Sequence, residues 1–228
     1  MLPTMGPTNS RSVRAYFVSA LILAGIMFAG FAKNYYLRTW IGTRPISVMV
    51  HVHGLIMTAW IILFVAQTFL VANRRTDLHR KLGTAGTILA GIVVVLGLYT
   101  IAGSILRRHP DADLERFTNL FVAFDGLSLL LFGGLVVTAV WVRLRPQTHK
   151  RLMFMAVVSL LPPALGRFVA YFTRVDVPVI VLGLMCTTVG TCVLIDTVRH
   201  RRLHPALAWS GALVVAINIT TYLAQTAD

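Results

Sequence analysis

From Pro45 to Asn73 the chain reads PISVMVHVHGLIMTAWIILFVAQTFLVAN, 29 residues between Arg44 and Arg74 without one Asp, Glu, Lys or Arg. A helix crosses the hydrocarbon core of a bilayer in about 20 apolar residues at about 1.5 Å each, so this run is long enough for a complete span. Six further runs appear when the rest of the chain is cut at its strong charges. They lie between Arg14 and Lys33, Lys81 and Arg107, Arg116 and Arg143, Arg151 and Arg174, Asp176 and Arg199, and Arg202 and Asp228. Only Asp125, Arg167 and Asp196 are left as charges inside them. The expected helices therefore cover about 13–32, 47–72, 82–106, 118–142, 152–173, 177–198 and 205–226. Connections this short give an all-α, seven-helix up-and-down bundle, a single domain over 1–228. Pro162-Pro163 should kink the fifth helix about two-thirds along.

Composition agrees with that reading. Hydrophobic residues make up 57% and charged ones 13%, with a mean hydropathy of +0.76. A soluble domain has roughly 45–50% apolar and about 25% charged residues, so a soluble globule is excluded, as are disorder and a collagen-like chain. Two cysteines cannot build a disulfide scaffold. Cys186 and Cys192 are expected as core residues facing apart on the sixth helix. The first apolar run is longer than the usual signal-peptide core and no A-x-A-like site precedes Lys33, so it reads as a retained helix.

The net charge of +13 is explained by loop charge rather than nucleic acid. Thirteen Lys and Arg fall in the N-terminal segment and the even-numbered loops, against seven in the odd-numbered loops. With the acids included, the two sides carry +12 and +2. Basic loops stay in the cytoplasm, so the N-terminus is expected inside and the C-terminus outside. Tyr35, Tyr36 and Trp40 suit an outer aromatic belt, and Trp141 an inner one.

An internal repeat organises the histidines. His53-Gly54-Leu55 is followed by Leu78-His79-Arg80-Lys81-Leu82, and Asp125-Gly126-Leu127 by His149-Lys150-Arg151-Leu152. Gly183-Leu184 followed by Leu203-His204-Pro205 is a degenerate third copy. The repeat puts His79, His149 and His204 at one depth on the inner side, each opening an ascending helix. Two imidazoles facing across a bundle can hold a haem iron axially; with His204 they could instead hold zinc or iron. A cofactor-free alternative makes the same motifs interfacial anchors, with Arg80, Lys81, Lys150 and Arg151 grasping anionic lipid headgroups. His109 and His200 read as solvated loop residues. Asp196 reads as pairing locally with Arg199.

A second polar group sits in the outer half. His53, Asp125 and Arg167 each lie roughly 10–13 Å inside their charged boundary on the second, fourth and fifth helices. Charges at such depth are costly, face the bundle interior and pair. Asp125 with Arg167 is the expected ion pair and His53 the titrating neighbour, a catalytic or proton-relay trio or a mere packing device. Retinal is excluded, since Lys33, Lys81 and Lys150 all lie at helix ends, and no phosphate-binding loop or G-x-S-x-G elbow is present.

From about His51 to Arg167 the chain resembles a family of bacterial multi-spanning membrane proteins known only as a domain of unknown function. The resemblance rests on HVHGLIMTAWIILFVAQTFLVANRRTDLHRKLG, on THKRLM and on Arg167. Its matching positions are His53, Gln67, His79-Arg80 with Gly83, His149 with Met153, and Arg167. A looser similarity is to the transmembrane di-haem cytochrome b ferrireductases, in which four consecutive helices carry one haem-ligating His each. His53, His79 and His149 occupy such positions, but Asp125 stands where the fourth helix should supply a His. That resemblance implies at most one bis-His haem b, between His79 and His149, and an oxidoreductase function. The rival expectations are a proton-coupled transporter using His53, Asp125 and Arg167, and a cofactor-free structural or assembly factor. In each case the location is a cell membrane, the bacterial inner membrane.

Overall fold

The computed structural model describes residues 7–42, 45–106, 112–173 and 175–226, with side chains from 14 onward except those of 112–124 and 226. Arg44, Arg107, Arg108, Asp111, Arg174 and Asp228, all used in the charge reading above, lie outside the described residues, as does His109, read above as a loop residue. The described chain is helical, without a strand. Helix α1 (Pro7–Phe31) runs into a π-helical turn, Ala32–Tyr36, and the short α2 (Arg38–Ile41). There follow α3 (Val48–Ala72), α4 (Thr76–Ile105), α5 (Ala112–Trp141), α6 (Pro146–Ser159), α7 (Pro162–Val169), α8 (Val177–His200) and α9 (Pro205–Thr226).

Among the described residues six helical segments are long and apolar enough to cross a membrane. They are Arg14–Tyr36, Val48–Ala72, Thr76–Ile105, Pro146–Val169, Val177–His200 and Pro205–Gln225. Helix α5 stands where the remaining span is expected; its stretch Asp125–Trp141 is a shorter apolar helix.

The α6–α7 segment is the axis of the bundle. Arg151, Leu152 and all of Phe154–Ser159 are buried, whereas α3, α4 and α8 keep long apolar faces exposed. Around it α1 packs on α3 and α7, α3 on α4, α4 on α5, α5 on α9, and α9 on α8. The expected kink is present. Pro162 and Pro163 have no N–H to give the carbonyls four residues back, so α6 ends at Ser159. Leu161 N–H instead closes a tight turn onto Val158 O at 3.1 Å, and Pro162 opens α7.

Two contacts fix the end of the bundle opposite the N-terminus. At Gly30 a Cβ would collide with the Ala164 carbonyl, so α1 and α7 touch backbone to backbone there, and Tyr171 donates its hydroxyl to Gly30 O at 2.8 Å. Gly54 leaves room for the Tyr35 ring, whose hydroxyl donates to His51 O at 3.1 Å, while Tyr36 bonds Thr58 at 2.8 Å. Trp40 and Trp141 are exposed at opposite ends. Cys186 is exposed and Cys192 half-buried. The expectation of two buried cysteines is therefore corrected for Cys186, which lies on an outward face of α8.

Candidate functional site: a paired-histidine centre and two polar clusters

Helices α4 and α6 each carry a histidine as their fourth residue, His79 and His149. Both helices begin at the end of the bundle that carries the N-terminus, so the repeat seen in the sequence becomes a spatial pair. The two imidazole rings lie 6.3 Å apart, centre to centre, at 80° to each other. Each is anchored by a neighbouring helix. Ala139 lies in the last turn of α5, where carbonyls lack intrahelical donors, and its oxygen is 2.8 Å from His149 Nδ1. A carbonyl can only accept, so His149 carries its proton on Nδ1 and has Nε2 as its free lone pair. From α3, the Gln67 carboxamide meets His79 Nδ1 at 2.5 Å and spans to Gly83 N at 3.0 Å. The amide nitrogen faces the ring and donates to Nδ1 and to His79 O, while its oxygen accepts from Gly83 N, so the neutral His79 ring carries its proton on Nε2. Gly83, one turn beyond His79, has open space where a Cβ would stand.

His204 does not join this pair. Among the described residues no group of three or more His, Cys, Asp or Glu is placed to hold a metal, so the three-histidine zinc or iron site is not formed. Its Nδ1 instead accepts from Ala206 N at 3.2 Å, capping the first turn of α9. His204 titrates below the ordinary histidine range, chiefly because burial disfavours the charged ring and secondly because Arg151 is near.

Two residues past His149, about 200° round the helix, Arg151 enters a separate buried cluster. Its Nε and Nη2 both contact Asp196 Oδ2 at 2.8 Å, and Nη1 donates to Gln147 O at 2.7 Å and to Gln147 Oε1 at 3.1 Å. Tyr16 from α1 donates to Asp196 Oδ1 at 3.0 Å. His200 Nδ1 donates to Asp196 O at 2.8 Å and lies 3.4 Å from Oδ1. Lys150 lies over the Tyr16 ring at 4.8 Å. Three expectations change here. Asp196 pairs with Arg151 rather than Arg199. Arg151, only 1% exposed, points into the bundle rather than at headgroups. His200 is half-buried in this cluster rather than loose in a loop. The available signal was angular: beside His149, Arg151 had to occupy the opposite face of the same helix.

At the far end, His53, Asp125 and Arg167 are neighbours without forming one hydrogen-bonded trio. Arg167 is close enough to act electrostatically on both His53 and Asp125. Yet its Nη1 donates to Pro163 O at 2.8 Å, and its guanidinium stacks on the Phe31 ring at 4.8 Å. Among the described residues no hydrogen bond or ion pair joins Asp125 to Arg167. Asp125 instead lines a cavity of roughly 100 Å³ between α5, α7, α8 and α9. His51 is exposed beside Tyr35, away from His53's face. Comparison with known family profiles, with curated proteins and with solved structures finds no match to this chain, so its function must be argued from this geometry.

Proposed function

We propose that this chain is a seven-span redox protein of the bacterial inner membrane, in which His79 and His149 hold the iron of one b-type haem. The observation that carries the reading is the imidazole pair. Two rings binding one ion from opposite sides at about 2.0–2.1 Å bring their centres roughly 6.3–6.5 Å apart, and these stand at 6.3 Å. A metal-bound histidine is oriented by giving the proton of its other ring nitrogen to an acceptor; Ala139 O takes that role for His149, and at His79 the Gln67 amide would have to turn over to take it. The open space at Gly83 suits the approach of a flat macrocycle. Arg80, Lys81 and Lys150, near the same end, would meet propionates or lipid phosphates. Bound there, haem would supply one-electron transfer, and His79 and His149 would hold it.

The charge asymmetry supports a cytoplasmic N-terminus and an external C-terminus, with α5 as the seventh span. The test is the reduced-minus-oxidised spectrum of protein purified from haem-replete cells. A sharp α-band of low-spin haem b is expected, lost in His79→Ala and in His149→Ala. Colourless protein, or a band surviving both substitutions, would sink the proposal. Stoichiometric zinc without haem would leave the histidine pair a metal site but end the redox reading. A reporter fused after Asp228 tests topology separately and should be active only outside the cytoplasm.

A further inference from the structure

The cavity beside Asp125 is lined by one carboxylate, by polar side chains of α9 and by an apolar wall. Asp125 lies near the middle of the 30-residue α5, where a carboxylate in a membrane-spanning helix is costly unless it serves a partner. Among the described residues it makes no hydrogen bond or ion pair. Across the cavity α9 presents Asn218, Thr221 and Gln225, whose spacing of three and four residues sets them on one helix face. Asn218 spends an amide proton on Val214 O at 2.8 Å, and Thr221 spends its hydroxyl proton on Ile217 O at 2.7 Å. Thr221 thus leaves its oxygen as an acceptor, and Asn218 leaves its carbonyl oxygen together with one further N–H. Gly166 and Val181 contribute an apolar wall. The Arg167 guanidinium, held on Pro163 O and the Phe31 ring, does not neutralise Asp125 by contact.

We infer that this cavity is a binding site for a small primary ammonium ion with a compact apolar body, held by Asp125 with Asn218 and Thr221. A carboxylate without a hydrogen-bonded partner, with the Asn218 and Thr221 oxygens across the cavity from it, suits a cationic ligand with N–H donors. A volume of roughly 100 Å³ exceeds what one water or one bare metal cation fills. The apolar wall would receive a short alkyl chain. This site is independent of the histidine pair, which lies toward the other end of the bundle.

The experiment is thermal unfolding of the full chain in detergent during titration with n-propylammonium chloride, total chloride held constant with sodium chloride. Propan-1-ol is titrated in parallel. A saturable rise in Tm is expected with propylammonium and none with the alcohol. Asp125→Asn should raise the half-saturating concentration at least tenfold. Should Asp125→Asn not fold, Asn218→Leu with Thr221→Val should raise it several-fold instead. The inference fails if wild type shows no saturable shift, or if the alcohol or sodium ion does as well as the amine. It fails equally if a folded Asp125→Asn protein binds as wild type does.

Discussion

Replacing Asp196 with Ala should strand a guanidinium inside the bundle. Arg151 is 1% exposed and Asp196 6%, so neither charge can turn to solvent. Removing one partner of a buried pair costs about 3–5 kcal/mol, because the other is left uncompensated. Arg151 keeps two bonds to Gln147 after the substitution, which places the expected loss near the lower bound, about 3 kcal/mol. For a chain of this length that corresponds to a fall in Tm of roughly 6–12 °C. Arg151→Met should cost a similar amount, since it leaves the carboxylate with only Tyr16 and His200. The decisive measurement is the double variant, Arg151→Met with Asp196→Leu, which removes both charges together. Its loss should shrink to about 1–2 kcal/mol, chiefly the orphaned Tyr16 hydroxyl, giving a coupling energy of about 4–5 kcal/mol against two single losses of about 3 kcal/mol each. Thermal unfolding in one detergent across the four proteins reads all of this. Single variants costing under about 1 kcal/mol, or a double variant equal to their sum, would refute the account of Arg151 as a sequestered charge.

Other outcomes follow from single contacts. Gly30→Val should destabilise by about 1–3 kcal/mol, since the added carbons drive into the Ala164 carbonyl; a Tm equal to wild type would show that α1 and α7 do not touch there. If the histidine pair binds haem, Gln67→Leu should weaken its retention roughly 10- to 100-fold by releasing the His79 ring, measured by haem loss to an apo-globin scavenger, with secondary structure unchanged. His204 concerns pH. Burial holds its folded pKa below the ordinary histidine value of 6.5, so the folded state binds fewer protons than the unfolded one. The stability it contributes is complete above about pH 6.5 and is lost as pH falls through that value toward the lower folded pKa. His204→Asn keeps a capping acceptor without titrating, so its Tm should fall less than that of wild type between pH 7 and 5; parallel curves would contradict the cap.

Much of the helical layout was legible because hydropathy and charge are one-dimensional signals. The 29-residue run around Trp60 reads as a span from length alone, and Pro162-Pro163 breaks its helix wherever it falls. The His79–His149 proximity was legible from the repeat, because matching hairpin positions bring matching residues to one depth. What could not be read was rotation. Whether Arg151 faces lipid or Asp196, and whether Asp125 meets Arg167 or the polar stripe of α9, depends on which helix is the axis. That is set by the packing of α6 against α5 and α9 and of α7 against α1 and α8, and no local pattern states it. Gln67 could be placed on its helix but not against His79, and the capping role of His204 required knowing that α9 begins at Pro205.

The central helix joins what the two faces do. His149 and Arg151 are two residues apart on α6, so the ion pair on the α1 and α8 side and the imidazole on the α4 and α5 side share one turn of backbone. Rotation of that turn would break the two 2.8 Å contacts of Arg151 with Asp196 and the 2.8 Å bond of His149 to Ala139 together. Asp196 should therefore hold His149 in register although it touches no part of the histidine pair. Asp196→Asn keeps the side chain's volume while weakening its hold on Arg151. If the histidine pair binds haem, this variant should bind it with an altered low-spin electron paramagnetic resonance signature, because that signal reports the angle between the axial rings. Gly30→Ala, which strains the opposite end of the bundle, is the control and should lower Tm with the signature unchanged. Identical signatures in wild type and Asp196→Asn would mean that α6 is held by its packing alone, and that the ion pair serves α1 and α8 without reaching the site.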